Sequence, residues 1–176
     1  MTAKSLFRAF LAAGAGIWGL AVVASGTLSP RPQDQAAAAA LEKTITVAAD
    51  AGWTDAAIDV GPGEELRFSA SGEIDLQRGN PQAVCGPAGL DLITTDQPVP
   101  NANLGALIGK IVQPVAMRVD GDSGMEIREE IFVLFLVGQE ATVTAPFKGR
   151  LYLGVNENVL KDNVGAYSVV VVRRPL

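Results

Sequence analysis

From Thr44 to Val172 the apolar residues recur at every second position, in short runs cut by glycine, proline, asparagine and aspartate. A period of two places alternate side chains on opposite faces of an extended chain, so the pattern excludes a helical domain and demands half-buried strands. Thr44-Ile45-Thr46-Val47 and Ala56–Val60 both alternate. Gly61-Pro62-Gly63 makes a turn, after which Leu66, Phe68 and Ala70 share one face. Leu107–Val112, Ile131–Val137, Glu140–Thr144, Gly149–Val155 and Ala166–Val172 complete seven or eight short strands. The expected fold is all-β, an antiparallel β-sandwich. Gly72–Gly105 holds few strand signals and reads as an extended loop over one end of the sandwich, the kind of loop that carries function. Arg173-Arg174 is expected to lie solvated beyond the last strand.

The N-terminal part obeys different rules. Lys4 and Arg8 precede an uncharged stretch from Ala9 to Pro30 that contains Leu11, Ile17, Trp18, Leu20 and Val22. A basic start followed by a small-residue-rich apolar run is the grammar of a secretory signal, with cleavage patterns at Val22-Val23-Ala24 and Ala24-Ser25-Gly26. Its length also approaches the ~20 apolar residues that cross a bilayer, which keeps a membrane anchor as the rival reading. Gly14, Gly16 and Gly19 lower its hydrophobicity and favour cleavage. Residues 1–29 are therefore expected to form a signal peptide or N-terminal membrane-anchor helix. Residues 30–42, rich in proline, glutamine and alanine, read as a linker, and 43–176 as one domain. That domain is exported, periplasmic or extracellular, with membrane attachment through the first segment if it is kept.

Composition closes off much chemistry. The chain has no histidine, which excludes Ser-His-Asp and Cys-His catalysis and every metal site that needs imidazole. The lone Cys85 supports neither an intrachain disulfide nor a thiolate cluster, and is expected to be buried. A formal charge of −5 argues against nucleic acid held by phosphate contacts and favours cations over polyanions.

Between two strands lies Asn156-Glu157-Asn158-Val159-Leu160-Lys161-Asp162-Asn163, with five oxygen-bearing side chains in eight residues. Calcium takes six to eight hard oxygen ligands, and Glu157 with Asp162 would match its charge, while Asn156, Asn158 and Asn163 offer neutral oxygens. Asparagine and aspartate also favour ordinary hairpin turns, and Lys161 counts against a cation. Spacing alone leaves both readings open. Asp120-Gly121-Asp122-Ser123-Gly124 resembles the start of a second calcium loop, but Ile131 stands where the closing glutamate belongs, so a hairpin turn is expected there.

The stretch Gly149–Val169 resembles the terminal signature of the PA-I type (LecA-like) galactophilic lectins and their galactose-binding-like relatives, GxLYLGxND followed by a short loop and DNxGxFxV. Val47-Ala48-Ala49 with Trp53, Val60–Glu64, Phe68–Gly72, Cys85–Gly89 and Gly105–Ile111 resemble further pieces of that pattern in the same order. The resemblance implies a jelly-roll or galactose-binding-like sandwich and a bound Ca²⁺ that bridges the protein to the hydroxyls of a galactose-type sugar. It puts Glu157 at a position that binds metal and sugar, and Asp162 and Asn163 at two consecutive side-chain ligands. Loop carbonyls near Leu160 and near Leu76 or Gln77 complete the implied shell, and Asn158 offers hydrogen bonds to the sugar. Two departures stand out. Glu157 is one methylene longer than the family's aspartate, and the family's His-Pro pair is absent, with Gln97-Pro98 and Asn101 in the corresponding loop.

The remaining candidates have plainer readings. Trp53 is expected at a core or corner position rather than as a sugar platform, Tyr152 and Tyr167 as packing residues, and Glu126, Glu129 and Glu130 as a solvated patch. The leading expectation is a non-enzymatic, calcium-dependent carbohydrate-binding module. The alternative is a non-catalytic structural or protein-interaction sandwich of the cell envelope. A hydrolase working through two carboxylates ranks last, since no nucleophile–base pair can be assembled.

Overall fold

The computed structural model describes residues 40–119, 121 and 126–175. The signal or anchor segment, nearly all of the linker, and Asp120 and Asp122–Gly124 lie outside the described residues. Nine strands follow in order: β1 (Leu41–Ala48), β2 (Thr54–Val60), β3 (Glu65–Asp75), β4 (Val84–Cys85), β5 (Leu107–Val119), β6 (Glu126–Leu136), β7 (Glu140–Thr144), β8 (Gly149–Val155) and β9 (Val164–Arg174). No α-helix occurs among the described residues.

The strands form two antiparallel sheets. One has the order β1-β9-β3, with β4 and β7 both pairing with β3; the other has the order β2-β8-β5-β6. Alternation decides which faces meet. In β3, Leu66, Phe68 and Ala70 are buried while Arg67 and Ser69 face water. Leu107, Ile111, Leu151 and Leu153 of the second sheet meet Val47, Val169 and Val171 of the first, all fully buried. Each such side chain contributes about 1.5–3 kcal/mol by leaving water, and this shared core is what holds the sheets together.

Several strands outrun the sequence expectation. β5 continues beyond Pro114 because that proline sits at a register shift in the ladder with β6, where a missing N–H is tolerated. β6 begins at Glu126, so the acidic patch is part of a strand. Arg173 and Arg174 are not beyond the sheet: they pair within β9, with Arg173 donating to the Asp59 carbonyl at 2.7 Å. β1 starts at Leu41, paired with Arg173.

Register fixes two poles. Ala48 opposite Ala166, Asp75 opposite Val164 and Leu107 opposite Val155 mark one; Leu41 opposite Arg173 and Val60 opposite Gly149 mark the other. The expected long loop, now running from Leu76 to Ala106 around the short β4, belongs to the first pole. Tyr167 of β9 fastens it. Its buried hydroxyl lies 2.8 Å from the Gly86 carbonyl and 2.9 Å from that of Gly105, sharing one proton between them. Cys85 is buried as expected, its Sγ 3.6 Å from the same oxygen. Burial drives the Tyr167 phenol far above its ordinary ionisation range and raises the Cys85 thiol as well, so both stay neutral.

Trp53 lies just before β2 and is not a core residue, being 36 % exposed. Its ring lies against Gly154, where a Cβ would approach to 3.1 Å, and the Lys110 ammonium sits 4.4 Å from its centroid. Both contacts make it a packing residue of the outer face of the second sheet, together with Tyr152.

Tyr167→Phe should leave the buried Gly105 carbonyl short of a donor, while the Gly86 carbonyl keeps the Gly89 amide at 2.9 Å. The expected loss is about 1–3 kcal/mol, read as a lower urea midpoint at unchanged slope.

Candidate functional site

β8 occupies the middle of one sheet and β9 the middle of the other, so the eight residues between them cross from sheet to sheet. The expectation of a hairpin turn is corrected here: antiparallel neighbours in one sheet can be closed by a turn of two to five residues, whereas these strands never pair. The crossing explains the length of the loop and the concentration of polar side chains in it. It has no ladder of its own, so its backbone and side chains must find partners locally.

Asn163 is a deeply placed polar group of this crossing, 2 % exposed and second in burial only to Asn156. Its Nδ2 donates to the Ala49 carbonyl at 3.1 Å and to Glu157 Oε2 at 2.7 Å. The opposite atom, Oδ1, is buried and has no hydrogen-bond partner. A buried amide oxygen without a donor costs roughly 1–3 kcal/mol, so a native structure keeps one where a water, an ion or a ligand completes it.

Glu157 and Asn163 are thus brought together as the sequence suggested. The Glu157 carboxyl is pushed above its ordinary value, chiefly by desolvation; the Asn163 bond pulls it back and the charge of Asp162 raises it further. Asp162 is exposed, and its peptide carbonyl accepts the Arg78 amide at 3.0 Å. That bond docks the turn after β3 against the crossing, which places Leu76 and Gln77 beside it. Gln77 lends its carbonyl to the Asn80 amide at 2.8 Å, and Asp75 receives the amides of Gln77 and Gly79. Leu160 is half-buried, its carbonyl accepting the Asn163 amide at 3.2 Å. Asn158 is exposed, and its side-chain amide donates to the Asp96 carbonyl across the site.

Asn156 plays a different part from the neutral oxygen donor that composition suggested. It is fully buried, and its side chain is taken up by the loop at residues 99–103. In composition it stands level with Asn158 and Asn163, and no local signal separates it from them, because the partners that bury it lie in the loop at residues 99–103.

The site therefore offers oxygen alone: two carboxylates, one unpartnered amide oxygen and peptide carbonyls on two adjoining segments. Among the described residues no salt bridge reaches Glu157 or Asp162. No three acidic, Cys or His side chains among them gather tightly enough to hold a metal unaided. Any cation here must draw on amide and peptide oxygens as well, a donor set suited to a hard divalent ion.

No protein-family model matches the sequence, and no curated protein matches it. Among solved structures, the fold is similar to one described as "EclA N-terminal domain; PllA-like lectin", with a TM-score of 0.51 and 21% identity. The match covers 74% of this chain and 95% of that one. The fold is lectin-like.

The raised Glu157 carboxyl has a definite sign. The folded chain holds this proton where the unfolded chain has lost it, so the metal-free protein loses stability as pH climbs from about 4.5 through the raised value. With a chelator present, Glu157→Gln should remove that decline and melt at or above the unmutated protein at neutral pH. A variant that melts lower throughout would show that the carboxylate is compensated inside the fold.

Proposed function

We propose that this protein is a non-enzymatic, exported carbohydrate-binding module that takes galactose-type sugars in a calcium-dependent manner. The single observation that carries the reading is the buried, unpartnered Oδ1 of Asn163 beside the half-buried Glu157 carboxylate. The lectin-like fold supports the carbohydrate part. The donor chemistry supports the calcium part: Glu157, Asp162 and Asn163 supply side-chain oxygens, with peptide carbonyls at Leu160 and Leu76 to fill the shell.

Within this reading each residue has a task. Asn163 Nδ2 fixes the Glu157 carboxylate at 2.7 Å and leaves Oδ1 free on the other side of the same amide. Asp162 adds the second negative charge that a divalent ion requires. When bound, calcium supplies Lewis-acid coordination for two vicinal sugar hydroxyls. Glu157 and Asn158 lie at the rim, where they can accept from and donate to the sugar directly. Burial of the Asn163 amide keeps its geometry fixed before the ligand arrives, which reduces the ordering cost of binding. Export and membrane attachment rest on the sequence of residues 1–29.

Calcium at about a hundredfold above its Kd should raise the melting temperature by about 5–10 °C, as mass action requires for a ligand of the folded state. The double variant Glu157→Ala/Asp162→Ala should lose that shift, and the chain should be retained on immobilised galactose and released by EDTA. Full retention of the calcium shift in the double variant would contradict the proposed ligand set.

A further inference from the structure

Asn156 immediately precedes the proposed binding residues, yet its side chain points into the protein and is wholly buried. Its Oδ1 accepts the Val99 amide at 2.9 Å, and its Nδ2 lies 3.1 Å from the Val99 carbonyl, 3.3 Å from that of Ala102 and 3.1 Å from that of Asn103. Its own peptide group is fixed as well, through Asn156 N to Ala106 O at 2.8 Å and Gly105 N to Asn156 O at 3.1 Å. One residue at the end of β8 thus holds both the root and the crest of the 91–106 excursion.

That excursion forms one wall of the proposed site. Asp96 receives the Asn158 amide, two residues from the side chain of Asn156 along the crossing. The segment Gln97-Pro98-Val99-Pro100 has little regular structure to hold it. One isolated bridge joins Ile93 to Asn103, and the Leu90 amide donates to the Leu104 carbonyl and the Leu104 amide to the Leu92 carbonyl, each at 2.8 Å. Above Asn103 the crest is held by the four contacts of the Asn156 amide, a 3.3 Å bond from the Ala102 amide to the Val99 carbonyl, and the Asn158 bond to Asp96. A buried polar side chain whose donors and acceptor are all used fixes its partners more sharply than apolar packing does.

We propose that Asn156 is a positioning residue that clamps residues 96–103 against the Glu157–Asn163 crossing and thereby sets glycan affinity, without touching the cation. The inference rests on the lectin reading for its glycan half and on the hydrogen bonds alone for the clamp. It separates two properties of adjoining residues. Glu157 and Asn163 govern the metal, whereas Asn156 governs the wall against which a sugar ring would rest. Asn156→Asp tests the separation, because it keeps the shape and the acceptor for the Val99 amide but replaces the donor toward three carbonyls with an oxygen that repels them.

The experiment uses the full chain and three readouts: calcium affinity by calorimetry, retention by immobilised galactose, and amide hydrogen exchange. The clamp predicts that Asn156→Asp speeds exchange within residues 96–103 and weakens galactose binding about tenfold, while calcium affinity stays within about twofold. Unchanged exchange in 96–103, or an equal fall in calcium affinity, overturns it. The unmutated chain supplies a check that needs no variant: the Val99 amide, bonded to a buried acceptor, should exchange more slowly than the other amides of residues 95–101. Fast exchange at Val99 overturns the clamp even if Asn156→Asp fails to fold. An unmutated chain that ignores galactose in saturating calcium removes the lectin reading and the glycan half together, and the exchange data then decide the clamp separately.

Discussion

The site depends on a topological constraint: β8 and β9 are each the central strand of a different sheet, and the chain between them has to cross the end of the sandwich. Because both strands are paired on two sides, the crossing is anchored by the most heavily bonded parts of the fold. Its eight residues cannot slide in register without disrupting both sheets. Polar side chains placed there gain a fixed geometry, and Asn163 shows the result, its amide locked between Ala49 and Glu157.

That rigidity has an electrostatic consequence. The crossing gathers the charges of Glu157 and Asp162 near a buried amide oxygen, and no salt bridge among the described residues offsets them. The opposite pole behaves otherwise: Arg150 forks between Asp55 and Asp59, with Nε and Nη2 reaching Asp55 at 2.8 and 3.1 Å. There the acidic groups of β2 are matched by a guanidinium, which lowers the Asp55 carboxyl below its ordinary range. One end of the sandwich matches Asp55 and Asp59 with a guanidinium, whereas Glu157 and Asp162 at the other have no salt bridge among the described residues, the contrast on which the proposed site rests.

Much of this was legible in the residues. Alternation placed the core strands apart from the short β4 and the end of β3, both inside the stretch read as a loop, because the period-two pattern and the buried face are the same physical fact. The polar run 156–163 stood out for its oxygens, and Glu157 and Asn163 do meet. Strand ends were less legible. Pro114 reads as a stop until its bulge is seen, and Arg173 and Arg174 read as lying beyond the sheet until the register with β1 and β3 is known, although Arg174 is solvated as expected. Which sheet a strand joins is a long-range property, so the hairpin expectation for 156–163 could not be corrected from local sequence. The same limit hid the difference between Asn156 and Asn163: identical side chains acquire opposite tasks from partners 57 residues earlier at Val99 and 114 earlier at Ala49.

Direct calorimetric titration of the full chain with calcium measures the central claim, the convergence of Asn163 Oδ1 and the Glu157 carboxylate on one ion. The account predicts a single saturable site, one calcium per chain, that is lost when Asn163→Leu removes the unpartnered oxygen. Absence of any saturable heat in the unmutated chain, or an unaltered site in that variant, would contradict it.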